Sequence, residues 1–309
     1  MRFWKLVLPI GLLGLTLSCE KKSPGDAPVT VGTAAAAPAN TNTQVFQAKG
    51  IIIELLPTEK SVRIQHEAIP GYMDAMTMAF DVRSTNELAG LNPGDVVTFR
   101  LWVTERDGWI DQLQKLSLAP PINTLPPNAP VRIVRDVEPL NPGDPLPDYQ
   151  FTNQLGEAVS LSQFRGQALA ITFIFTRCPF PTFCPLMSNN FRTVQDALLK
   201  NPSGPTNWQL LTLTFDPEFD TPEKLKAYAT SFGCNPEHWS FLTGALIEVT
   251  ALGEQFGLRF WREPSAGISH NLRTVIVDAR GRVQKIIPEN KWTPDELAAE
   301  IEKAARVEK

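Results

Sequence analysis

The sequence predicts an α/β domain with a central sheet in the C-terminal half, preceded by a small all-β barrel. Three observations carry this. Residues 169–175, LAITFIF, form an apolar run with the length and the β-branched and aromatic content of a buried strand. From about residue 148, strand patterns alternate with helical ones, the order that builds a layered α/β sheet. Between residues 45 and 118, short segments with period-two alternation are separated by turn residues, as in a small barrel.

At 309 residues the chain has room for two domains plus linkers. A formal net charge of −4 leaves no basic excess, so nothing points to nucleic acid. At the N-terminus, Arg2 and Lys5 precede an apolar stretch, residues 6–17, that is too short for a comfortable transmembrane helix and reads as an export signal. It ends in Ser18-Cys19. Residues 1–19 thus resemble a bacterial lipoprotein signal, in which Cys19 becomes the lipidated first residue, although Thr16 and Leu17 depart from the commonest lipobox. The expected location is the bacterial cell envelope, outside the cytoplasm and anchored to the membrane by lipid. Residues 20–43, rich in Ala, Pro, Ser, Thr and Asn, read as a flexible tether.

Residues 44–119 are the all-β domain. Residues 45–56 read as a strand. In the next, Val62, Ile64 and His66 share one face, and Met76, Met78, Phe80 and Val82 share a face in the same way. Asn92-Pro-Gly-Asp95 is a turn, and residues 96–103 and 109–118 complete about five strands. Residues 120–140 are punctuated by prolines and read as a stiff linker that keeps two domains apart.

Residues 141–307 form the α/β domain. After the strand at 169–175, the spacing of Leu186, Met187, Phe191, Val194 and Leu198 predicts a helix starting near Pro185. Residues 208–215 form a second buried strand. Thr221-Pro222 opens a helix through Phe232, and residues 246–256 form another. Residues 272–277 and 283–287 pair around the turn at Gly281, and Thr293-Pro-Asp-Glu296 is a capping box that starts the last helix. The layout is close to thioredoxin-like.

Export leaves three thiols, Cys178, Cys184 and Cys234, too few for a disulfide framework. Cys178 and Cys184 flank a proline-rich turn between a central strand and a helix. A helix N-terminus lowers a thiol pKa, so Cys184 is expected to be the better-activated thiol. Five residues separate the two, too many for Cys-X-X-Cys, and a second pair for a structural zinc ribbon is missing. A redox pair, a metal site short of ligands and a structural disulfide all remain open. His270, one of three histidines, lies just before the strand at 272–277, where a thioredoxin-like layout turns the loop toward the cysteines. Two thiolates and an imidazole suit copper, as Cu(I) with three ligands or Cu(II) with more. Cys234, at a helix end, reads as a structural or incidental thiol, and His238 as a loop residue.

These pieces carry a family resemblance. Thr176-Arg-Cys-Pro179, Phe183-Cys-Pro185, Phe215-Asp-Pro-Glu-Phe-Asp-Thr-Pro222, Phe241-Leu-Thr-Gly244 and the His270 segment resemble the Sco/SenC copper chaperones of the thioredoxin superfamily. The resemblance implies copper held by Cys178, Cys184 and His270, with a Cys178–Cys184 disulfide in the oxidised form. It implies a partner, the copper-centre subunit of cytochrome c oxidase, served by copper delivery or by reduction of its cysteines. Asp216 matches the family's acidic residue beside the site; a plain helix-entry turn residue is the alternative. The usual family spacing between the cysteines is three residues, against five here.

Three of the five methionines fall in Tyr72-Met-Asp-Ala-Met-Thr-Met78. Met76 and Met78 emerge on one strand face, Met73 can lean over them, and His66 ends the neighbouring strand. Thioethers are soft and neutral and favour Cu(I) or Ag(I) over zinc. Ala75-Met-Thr-Met78 and Asn92-Pro-Gly-Asp95 resemble landmarks of the periplasmic CusF-like copper-binding domain, which implies a second metal site at His66, Met73, Met76 and Met78. That family caps its ion with a Trp where this chain has Met73. A fourth soft ligand at Met73, or a partial substitute ring at Tyr72, are both open. The sequence thus reads as a tethered copper protein, with a thiol–disulfide oxidoreductase or a copper-resistance buffer as its rivals.

Overall fold

The computed structural model of the protein describes residues 43–118, 136–262 and 267–306. The export signal with Cys19, all but the last residue of the tether and residues 119–135 lie outside them. Among the described residues, no helix is long and apolar enough to cross a membrane.

The first sheet comprises β1 (Gln44–Leu56), β2 (Ser61–His66), β3 (Met76–Asp81), β4 (Asp95–Val103) and β5 (Gly108–Leu118), in the order β3-β2-β1-β4-β5. All neighbours are antiparallel. Along β4, buried residues alternate with half-buried ones, the signature of a sheet with one face in a core. The sheet curls, and a single bridge between Val82, just past β3, and Ile110 on β5 brings its two edges together. His66 stands opposite Met76, Ile64 opposite Met78 and Val62 opposite Phe80, so these six side chains share the inner face.

The second sheet has seven strands. In chain order the elements are β6 (Gln150–Asn153), β7 (Ala158–Ser160), β8 (Ala168–Ile174), α1 (Cys184–Lys200), β9 (Trp208–Thr214), α2 (Pro222–Ser231), β10 (Trp239–Thr243), α3 (Leu246–Gln255), β11 (Phe260–Arg262), β12 (Ile268–His270), β13 (Arg273–Val277), β14 (Val283–Pro288) and α4 (Pro294–Ala305). The sheet order is β14-β13-β8-β9-β10-β6-β7, and β11 and β12 form a separate hairpin. β8, β9 and β10 run parallel, and every residue of β8 is buried, as a strand covered on both faces must be. Phe191 of α1 meets Trp239 on one face, and Phe256, at the end of α3, meets Phe173 on the other. This is the thioredoxin-like layout expected. The capping box of α4 is in place, with Thr293 accepting from the Glu296 amide. The short β6–β7 and β11–β12 hairpins and β10 were not anticipated. Consequently His270 ends a strand paired to β11 rather than lying in an open loop.

The two domains, expected to be held apart, are in contact. The described residues of both domains fall in one compact unit. β3 is an edge strand with outward amides, and the Thr77 N–H donates to the Ser269 hydroxyl of β12 at 2.7 Å. Gly267 permits this approach, since a Cβ there would stand 2.8 Å from the Ala75 carbonyl oxygen. From the cysteine loop, Phe180 is 2 % exposed, lies edge-on to Phe80 and fills the space above Gly108, where a Cβ would meet its ring at 2.7 Å. Tyr72 stacks on Phe46 and donates its hydroxyl to the Pro179 carbonyl at 3.2 Å. The apolar end of the first sheet and the open edge of β3 are thus buried against the second domain.

Candidate metal centre

β8 ends just before the turn that carries Cys178, and α1 begins at Cys184, with Pro185 in its first turn where a missing N–H costs nothing. β12 brings His270 to the same place. The ligand atoms of Cys178, Cys184 and His270 all lie within 4.8 Å of one another. Both cysteines are free thiols. The His270 Nε2 stands 3.9 Å from the Cys184 Sγ, and its Nδ1 is 3.0 Å from the Asn271 carbonyl. A carbonyl only accepts, so Nδ1 carries a proton. Nε2 is therefore the atom that faces the sulfurs, as donor to a thiolate or as a lone pair for a metal. Phe175, Phe183 and Phe215 surround the imidazole with centroids 4.9–5.5 Å away and fix its plane. Two sulfurs and one imidazole nitrogen that converge in an apolar cage fit a soft ion such as Cu(I).

The thiols differ, in the reverse of the order expected from helix position. Burial opposes ionisation of Cys178, but hydrogen bonds from Cys184 and His270 outweigh it and hold Cys178 well below the usual thiol range. Cys184 is fully buried, and burial together with its neighbour Cys178 pushes it well up. Loss of water around Cys184 exceeds the help of the helix N-terminus. Ionisation is thus favoured at the less enclosed Cys178.

Asp216 is fully buried, but it is absent from the ligand cluster. Its carboxylate accepts from Arg177 at 2.7 Å and from Arg262 at 2.5 Å. Arg177 precedes Cys178, and Arg262 lies on β11, which pairs with the strand bearing His270. Asp216 thus ties the two arms of the site together. Asp216→Asn should lower stability by about 1–2 kcal/mol, since both arginines stay partly solvated, and weaken Cu(I) binding about tenfold. Chemical denaturation and chelator competition would check this; no change in either would reduce Asp216 to a turn residue. Asp220, in the same segment, carries no local sequence signal for a role at the site. Also fully buried, it accepts from the Thr176 amide and from the Thr176 and Thr214 hydroxyls, bracing the turn before Cys178.

Met73, Met76 and Met78 are buried and line one small cavity together with Cys178 and His270. His66, buried beside Met76, gives its Nδ1 proton to the Glu67 carbonyl at 2.7 Å, which leaves the lone pair on Nε2, and it does not line that cavity. Tyr72 is turned to Pro179 instead of the methionines; Phe175, Phe180 and Phe183 supply the aromatic walls. Cys234 lies apart, donating to the Trp239 carbonyl at 2.9 Å, with burial raising its pKa to about 12. His238 stacks on Trp208 in a turn.

Residues 45–115 match the family described as copper binding periplasmic protein CusF, and residues 138–306 match SCO1/SenC. A SCO1 protein homolog of Bacillus subtilis is 28 % identical over 165 residues, 51 % of this chain and 81 % of that protein. A SCO1/SenC family lipoprotein from Bacillus anthracis is similar in structure, with 25 % identity and a TM-score of 0.47 over 52 % of this chain and 95 % of that one. BsSco, described as a member of the Sco family of cytochrome c oxidase assembly proteins with a disulfide switch, gives 25 % identity and a TM-score of 0.48 over 55 % and 98 %. Copper, the expected metal, stands on the CusF match and on the donor chemistry. With more than half of its length matched, the chain belongs to the SCO1/SenC family.

Proposed function

We propose that the protein is an extracytoplasmic copper chaperone, tethered to the membrane through Cys19, that takes up Cu(I) on its methionine-bearing domain and holds it for delivery at Cys178, Cys184 and His270. The observation that carries this is the convergence of two sulfurs and the His270 Nε2 within 4.8 Å. Membership of the SCO1/SenC family supports the copper-centre subunit of cytochrome c oxidase as recipient. The match of residues 45–115 to a periplasmic copper protein supports both the uptake role and the location.

One observation favours a second reading. Two adjacent thiols, one of them held well below the usual range, also suit a thiol–disulfide oxidoreductase that cycles through a Cys178–Cys184 disulfide. His270→Ala separates the two. A chaperone loses Cu(I) affinity on the order of tenfold or more while thiol exchange persists. Unchanged affinity with lost exchange would make the protein an oxidoreductase. A copper-sensitive deletion strain with normal oxidase would instead favour copper buffering.

A further inference from the structure

The two expected copper sites are not separate in space. β12, which ends in His270, lies along the open edge of β3, which carries Met76 and Met78, and the Thr77–Ser269 hydrogen bond pins them together. One cavity of about 10 Å³ is bordered by Met73, Met76 and Met78 on one side and by Cys178 and His270 on the other. That is on the order of the space one water requires, enough for a single ion and too little for an organic ligand. Cys184 does not line this cavity; it lies deeper, fully buried, with its Sγ 3.9 Å from the His270 Nε2. The thioethers, Cys178 and His270 thus border one space, and Cys184 lies behind it, within 4.8 Å of the other two second-domain ligands.

We infer that methionine thioethers of the first domain and Cys178 and His270 of the second form one mixed-ligand Cu(I) site across the domain junction, from which the ion passes inward to Cys184 without release to solvent. This rests on the copper reading above. The transfer is a ligand exchange: a copper–thioether bond breaks, a copper–thiolate bond to Cys184 forms, and the Cys184 thiol proton leaves to water. Copper stays Cu(I) and no electron moves. Neutral thioethers are the weaker ligands and thiolate the stronger, which gives the exchange its inward direction. Phe180 and Phe183 wall the cavity and keep water from competing.

The test uses the exported chain with Cys184→Ser, which stops the ion at the junction. Cu(I) is titrated against a chromophoric chelator in this parent and after adding Met76→Leu, a volume-conserving change, or His270→Ala. A shared site predicts one tight Cu(I) per chain, with both single changes weakening that same ion about tenfold or more. Two tight ions per chain, or a tightest ion that responds to only one of the two changes, would overturn the inference while leaving the copper reading intact. Failure of the wild-type chain to take up any Cu(I) would remove the copper reading itself, and the inference with it. Should a variant misfold, the parent grown on selenomethionine and loaded with one Cu(I) gives an independent answer by copper X-ray absorption. Selenium in the copper shell supports the shared site, and its absence overturns it.

Discussion

Cys178→Ser should abolish tight Cu(I) binding, with a loss on the order of a hundredfold or more. Partners that merely orient a metal ligand already cost about 10–100-fold when removed, so a direct ligand must cost at least as much. Serine puts a hard, neutral hydroxyl where a soft thiolate stood, and Cu(I) discriminates strongly between them. The substitution strikes the thiol whose ionisation its surroundings favour, since burial and the neighbouring Cys178 push the Cys184 thiol up. It also removes the one residue common to the sulfur pair and to the methionine-lined cavity. The fold should survive, since Cys178 is only partly buried and replacing sulfur with oxygen leaves no large void. Chelator competition gives the affinity and circular dichroism checks the fold. An affinity unchanged within about threefold would mean that Cys178 is not a ligand of the ion.

Most of the framework was legible because its signals are local. The run at β8 has the length and composition of a buried strand, and the alternation of Val62, Ile64 and His66 against Met76, Met78 and Phe80 marks the inner face of the first sheet, which the register bears out. His270 could be joined to the cysteines because the α/β layout specifies which strand end meets which. The rest depends on contacts between residues far apart in sequence. Asp216 and Asp220 are four residues apart in one motif, yet only folding shows that one clamps two arginines and the other braces the cysteine turn. The order of the two thiols depended on the depth of Cys184, which helix position does not encode. The strand under His270 was missed because three-residue strands leave too little pattern to read. Docking of the domains was missed because prolines describe the stiffness of a linker but carry no information about the surfaces at its ends.

Phe180→Ala should be the most damaging single change to the union of the two domains. Phe180 is the second residue of the five between the cysteines, so the long spacing has a physical use: it carries a ring out of the thioredoxin-like domain and into the other. That ring is 2 % exposed, with centroids 5.8 Å from Phe80 and 5.6 Å from Phe183. Truncating a phenylalanine so enclosed costs about 3–5 kcal/mol, part lost transfer energy and part cavity. The other links are weaker. The Lys291–Glu59 pair is about half exposed on both sides and contributes less than about 1 kcal/mol. The Thr77–Ser269 and Tyr72–Pro179 hydrogen bonds contribute on the order of 1 kcal/mol each. Without Phe180 these cannot hold the junction, and unfolding, expected as one transition for the docked chain, should split in two. Amide exchange at Thr77, whose N–H is bonded across the junction, should rise in parallel. Phe180→Leu, which keeps most of the apolar volume, should retain most of the effect of the wild-type ring. Loss of less than about 1 kcal/mol in Phe180→Ala, with one transition preserved, would show that backbone contact between β3 and β12 suffices to hold the domains together. Because the same ring walls the cavity shared by the methionines and Cys178, undocking and loss of a shared copper ion should occur together in this variant.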